Sequence, residues 1–170
     1  MESLTTIAEI GVALAGFSGL VVVLRKKTGP LNEIERYRMS VLLAAAFGAM
    51  FLALLPGAMR HLGMADELIW RASSALLTAF TVVFVLSWVL SSRRFFTVAR
   101  EIFNVWAFSL MAVGHLINAG LQLSVVLGFW GDGSSGVFLL GLIWLLAHAS
   151  QQFVRMLLIQ PRSLDSGIDT

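Results

Sequence analysis

The sequence predicts an all-α fold, a single transmembrane bundle of five spanning helices covering residues 1–170. Three observations carry that expectation. Apolar residues make up 58% of the chain and charged ones only 13%, with a mean hydropathy of +0.84. A water-soluble domain of this size carries about twice that charged fraction. The charges are also clustered in short connectors, leaving long uncharged stretches between them. Five of those stretches reach the roughly 20 residues that a helix needs to cross the hydrocarbon layer.

The first span is predicted at 4–24 and ends on Arg25, Lys26, Lys27, Thr28, Gly29 and Pro30, where basic residues, glycine and proline are strong stop signals. The second is predicted at 39–59. Asn32 followed by Glu35 reads as a capping-box variant that starts this helix before it enters the bilayer. The third, at 72–92, is preceded by Asp66 as a candidate cap. The fourth, at 102–130, is longer than a straight crossing requires, which implies tilt or projection. Gly131-Asp132-Gly133-Ser134-Ser135-Gly136 reads as a turn leading back into a fifth span at 137–159. A break near Gln151 and Gln152 would leave that span partial and the number of full crossings at four.

Glu9 interrupts the first apolar run, and the basic cluster follows the run instead of preceding it. That is the reverse of a secretory signal, so the segment reads as a retained span. Orientation follows from the lysines and arginines, which favour the cytoplasmic side. With the N-terminus outside, ten of the twelve fall inside, and only Arg60 and Arg71 fall outside. Trp70 and Trp130 would then lie near the outer interface, and Trp88 and Trp106 near the inner one. Trp144 alone lies deep in a span.

Polar side chains within spans are costly and call for a reason. Glu9 sits roughly 7–8 Å past the start of the first span at 1.5 Å per residue. His115, Asn118 and Gln122 follow i, i+3, i+7 spacing and share one helix face, as do His148, Gln152 and Arg155, with Gln151 beside them. Counting from the turn puts the two histidines within about 5 Å of the same depth. If the faces meet, Glu9, Gln122, Asn118, His115, His148, Gln152 and Arg155 form a polar ladder across the bilayer. Histidine titrates near neutral pH and relays protons, so the ladder suits a proton or ion path. The competing use is as interhelical glue, worth about 0.6 kcal/mol per hydrogen bond, with Arg155 snorkelling to headgroups. A pair of histidines at one depth also raises haem ligation. The amides crowding the same faces argue against it, because a porphyrin takes apolar walls, and no cofactor is expected.

Gly11, Ala15 and Gly19 recur at every fourth position, with Gly16 alongside. Ala45, Ala49 and Ala53 form a similar ridge on the second helix. Small ridges allow close helix approach, here between the two helices of one chain or between copies or membrane partners. The stretch Ala8-Glu9-Ile10-Gly11-Val12-Ala13-Leu14-Ala15-Gly16-Phe17-Ser18-Gly19 resembles the N-terminal segment of small bacterial multipass inner-membrane proteins. In those proteins a glutamate precedes an alanine-rich run ending in Gly-Phe-x-Gly. The resemblance extends from the N-terminus to the neighbourhood of Leu24, implies a bacterial inner membrane and draws attention to Glu9, Gly16, Phe17 and Gly19. It brings no activity with it.

Cysteine is absent, which removes disulfides, thiolate nucleophiles and cysteine metal sites. No nucleophile elbow, zinc-protease motif or phosphate-binding loop occurs, and no connector exceeds about 15 residues, too short for a catalytic domain. The expectation is a non-enzymatic membrane protein whose medium is the lipid bilayer and which binds no nucleic acid. It would act as a small channel, transporter or proton-responsive protein, or else as an assembly subunit.

Overall fold

A computed structural model describes residues 2–25, 33–96 and 105–158. These form α1 (Glu2–Arg25), α2 (Glu33–His61), α3 (Asp66–Phe96), α4 (Val105–Val126) and α5 (Ser134–Leu158), with a 3₁₀ turn at Gly131–Gly133. All five helices are long and apolar enough to cross a membrane. The fifth runs unbroken through Gln151 and Gln152, so five uninterrupted helices of spanning length replace the alternative of four. The basic connector from Lys26 to Pro30, the cap at Asn32, the start of the fourth span at Ile102, and Arg100 and Arg162 lie outside the described residues.

Two helices end on glycines whose role the hydropathy pattern does not show. Gly63 (φ 75°) closes α2, and Gly128 (φ 84°) closes α4. After α4, the Phe129 N–H donates to Ser124 O (3.1 Å) and Gly128 N–H to Val125 O (2.9 Å), the paired bonds of a Schellman cap. After α2, Met64 and Gly63 make the same bonds to Met59 O and Arg60 O. The fourth span therefore stops at Val126, not at residue 130, because the left-handed turn at Gly128 reverses the chain early. Asp66 is the first residue of α3 and not its cap; its carboxylate pairs with Arg60 at 2.6 Å. A β-carbon at Gly128 would lie 2.6 Å from Arg71 Nη2. Gly128→Ala is therefore expected to cost about 1–2 kcal/mol, combining left-handed strain with displacement of Arg71. Thermal unfolding in micelles measures that loss.

The core forms where α2 and α5 meet the other helices. Leu4, Ile7 and Ala8 of α1 pack with Ala49, Leu52 and Ala53 of α2, Leu77 of α3 and Phe138, Leu142 and Leu145 of α5. A second cluster joins Val41, Ala45 and Ala46 to Phe84, Trp88 and Ala149. Ala45, Ala49 and Ala53 are thus buried within one chain. A β-carbon at Gly11 would stand 2.8 Å from Ala46 O, so this glycine sets the approach of α1 to α2, while Gly16 and Gly19 have nothing within 4 Å. The predicted ridge is therefore split. Gly11 and Ala15 turn toward α2, whereas Gly16 and Gly19 lie on exposed surface.

The outward surface is built of large apolar side chains, among them Phe51, Val83, Leu90, Leu110, Leu116, Ile117 and Leu140. In water such a contiguous surface would drive aggregation; in lipid it is the appropriate solvent-facing side. α4 shows the inversion most clearly, since its buried positions are His115, Asn118, Gln122 and Val125.

Candidate functional site

The i, i+3, i+7 spacing stacks His115, Asn118 and Gln122 on the face that α4 turns to α5. The short connector brings α5 back antiparallel, so His148 arrives at the level of His115. The two imidazoles meet directly, with His115 Nε2 and His148 Nδ1 2.8 Å apart. Both side chains are fully buried. On its other nitrogen, His148 Nε2 lies 3.2 Å from the Gln152 amide nitrogen, one turn along α5.

Hydrogen-bond polarity follows from these distances. For two neutral rings, the Gln152 amide N–H donates to His148 Nε2, so the His148 proton sits on Nδ1 and is donated to His115 Nε2. The remaining His115 proton then lies on Nδ1. Turning the Gln152 amide reverses each donor and leaves His115 Nδ1 a bare lone pair. In both arrangements that atom is buried without a hydrogen-bond partner, a state that costs about 1–3 kcal/mol.

Aromatic rings wall the pair. Phe84 lies 5.4 Å from each imidazole, Trp88 5.0 Å from His148, and Trp144 6.1 Å from His115. Trp88 is therefore a core residue, 5% exposed, and not the interfacial one its position near a span end suggested. Its ring also packs on Phe108 at 4.3 Å, and its carbonyl accepts a hydrogen bond from the Tyr37 hydroxyl at 3.0 Å. A β-carbon at Gly114 would collide with the Trp144 ring, so this glycine makes room for the wall.

Above the histidines, toward the α4–α5 connector, lies an amide cluster. Gln122 Nε2 donates to Val137 O (2.9 Å) and to Asn118 Oδ1 (3.2 Å), and Asn118 Nδ2 donates to Gly141 O (3.4 Å). The bonds to Val137 O and Gly141 O run from α4 side chains into α5 carbonyls. They depend on Gly141, where a β-carbon would come within 2.5 Å of Gln122 Nε2 and 2.6 Å of Asn118 Oδ1. Gly114, Gly141 and the three aromatic residues are site members that polarity alone did not single out. The signal available in the sequence was a glycine close to a polar span residue on the same or the facing helix.

The ladder's outer end differs from the expectation. Glu9 is exposed on the surface of α1 that faces away from the bundle and takes no part in the cluster. The register of α1 buries Leu4, Ile7, Ala8 and Gly11, which places Glu9 on the opposite side. Arg155 is half-buried below Gln152, close enough to act electrostatically on His148 and on Arg38, which also feels Glu35.

A cleft of about 510 Å³ opens at the connector end between α3 and the α4–α5 turn, lined by Asp66, Glu67, Trp70, Arg71, Asp132 and Ser134 among others. None of the five clustered polar residues lines it. Glu67 and Arg71 pair there at 2.7 Å. Among the described residues no group of three or more histidine, aspartate or glutamate side chains could hold a metal. Bis-histidine haem requires iron and a porphyrin plane between the two nitrogens. A direct 2.8 Å contact leaves no room for them, so this arrangement does not fit haem. In comparisons with protein-family profiles, curated proteins and solved structures, nothing matches this chain.

Proposed function

We propose that this chain is a proton-responsive multipass protein of a bacterial inner membrane, its N-terminus outside and its C-terminus in the cytoplasm, with His115, His148 and Gln152 as the responsive element. The observation that carries the reading is the 2.8 Å contact between two fully buried imidazoles, one of whose outer nitrogens has no partner. The chemistry is proton transfer along a preformed hydrogen-bonded line, with no other bond made or broken. A proton added to His148 makes both of its nitrogens donors. Gln152 must then turn its amide so that Oε1 accepts, which moves the change one turn toward Arg155 and Arg38. A proton held on His115 sits instead among Trp144, Trp88 and Phe84, whose rings favour a cation by quadrupole attraction. The bias of lysine and arginine supports the orientation, and the likeness of the N-terminal segment supports the bacterial membrane.

Trp88 and Trp144 make the proposal measurable, because an imidazolium beside an indole quenches its emission. In lipid nanodiscs, tryptophan fluorescence is expected to change reversibly over an acid titration. The change should be lost when His115 and His148 are both leucine. Flat emission in the wild type, or the same titration in the double variant, would remove the reading. Proton flux into proteoliposomes then separates a conducting role from a sensing one.

A second reading, an assembly subunit with structural polar contacts, is supported by the amide bonds from Asn118 and Gln122 to Gly141 O and Val137 O. Such bonds hold α4 to α5 without any transported species.

A further inference from the structure

The end of the bundle where α2 begins and α5 finishes brings two arginines together. Packing fixes how these helices pass each other. Leu52 and Ala53 of α2 share one cluster with Leu142 and Leu145 of α5, and Val41 and Ala45 share the next with Ala149. The helices are therefore antiparallel. Arg38 lies about two turns before Ala45, and Arg155 just under two turns beyond Ala149, so the two stand at about the same depth. The run 39–59 that follows Arg38 and the run 133–154 that precedes Arg155 hold no lysine, arginine, aspartate or glutamate. Both arginines thus mark the boundary between headgroups and hydrocarbon. Arg38 is only 6% exposed, Arg155 is half-buried, and the charge of Arg155 acts on Arg38.

A buried cation is ordinarily paired, because its desolvation is otherwise uncompensated. Glu35 lies one turn before Arg38, is itself buried and acts on it, which sets one negative charge against two positive ones. Among the described residues neither arginine makes an ion pair or a hydrogen bond. Arg155 can snorkel to water, but Arg38 is enclosed. The complement of such a pair is an anion that meets two guanidinium forks at once, and a phosphate does so by accepting parallel N–H bonds from each.

We infer that Arg38 and Arg155 form a binding site between α2 and α5 for an anionic phosphate group, whose sources are a phospholipid headgroup and free phosphate. Depth favours the lipid. Val154 and Leu157 beside Arg155 are apolar and exposed, giving acyl chains a surface to follow once the headgroup is held. Basic pockets between spanning helices take anionic headgroups on the cytoplasmic side, which is the side that the lysine and arginine bias gives this end. The site makes no use of the histidine pair and does not depend on its titration.

The whole chain, delipidated in a neutral detergent, is titrated with phosphatidylglycerol in one arm and inorganic phosphate in the other, with the thermal-unfolding midpoint as readout. The lipid is expected to raise the midpoint of the wild type. Its apparent affinity should fall at least about tenfold in Arg38→Gln and in Arg155→Gln, the loss of one charge-assisted contact. Arg60→Gln, which removes the partner of Asp66 at the opposite end, should leave that affinity unchanged. Arg38→Lys keeps the charge without the fork and is expected between wild type and Arg38→Gln. Saturation by inorganic phosphate, with no further effect of lipid, would support the site and assign it to a soluble ligand. Equal affinities in wild type and both glutamine variants would overturn the site. A wild-type midpoint that neither titrant moves would overturn it as well.

Discussion

Gly141→Val is expected to lower the stability of the bundle by about 3 kcal/mol, the sum of overpacking and the loss of two buried amide hydrogen bonds. The branched side chain would enter the space held by Gln122 Nε2, Asn118 Oδ1 and Leu77 Cδ2. Both amides would have to withdraw from the α5 carbonyls they now reach. A glycine elsewhere on the same helix pair provides the contrast. Gly120 has nothing within 4 Å of an added β-carbon, so Gly120→Ala should leave stability unchanged or raise it by up to about 1 kcal/mol through helix propensity. Thermal unfolding of the two variants in one detergent reads both results. Equal melting temperatures would show that the amide cluster is not held as described.

The second large effect concerns the histidines. His148→Leu leaves His115 Nε2 and the Gln152 amide without their partner inside the bundle and should cost about 2–4 kcal/mol. His115→Leu combined with His148→Leu replaces both groups by apolar ones of similar size. Its cost is expected to fall short of the two single losses together by about 1–2 kcal/mol, the coupling typical of residues in contact. The cycle is measured by chemical unfolding in mixed micelles. Strict additivity would mean that the direct imidazole–imidazole contact contributes nothing to the folded state. The double variant has a further use: it should fold and yet fail to titrate, separating a proton response from a packing role.

Much of the fold was legible in hydropathy and connector charge, because lipid imposes one dominant constraint and long apolar runs answer it. Helix ends were less legible. Gly63 and Gly128 stop their helices through left-handed backbone geometry, and a sequence full of span glycines does not say which of them turns that way. The pairing of His115 with His148 was foreseeable from the short α4–α5 connector, since two antiparallel helices on one hairpin allow depth to be counted. Glu9 was misplaced for a different reason. Its depth is fixed by sequence, but its direction depends on which side of α1 meets α2, and α1 has small residues on both. Gly11 against Ala46 O decides the matter, and that contact lies beyond the reach of periodicity. The place of Trp88 in the aromatic wall was hidden because tryptophan near a span end ordinarily reports the interface.

The polar face of α4 bears on how the protein is made. A nascent α4 leaving the insertion machinery alone would present two amides and an imidazole to hydrocarbon, at a cost of several kilocalories per mole for each unsatisfied group. Its acceptors, Val137 O and Gly141 O, lie on the next helix, only a short connector further along the chain. The two segments therefore gain most by partitioning into lipid together, as a closed hairpin. Lengthening the turn at Gly131–Gly133 would delay that closure and expose α4 to quality control during synthesis.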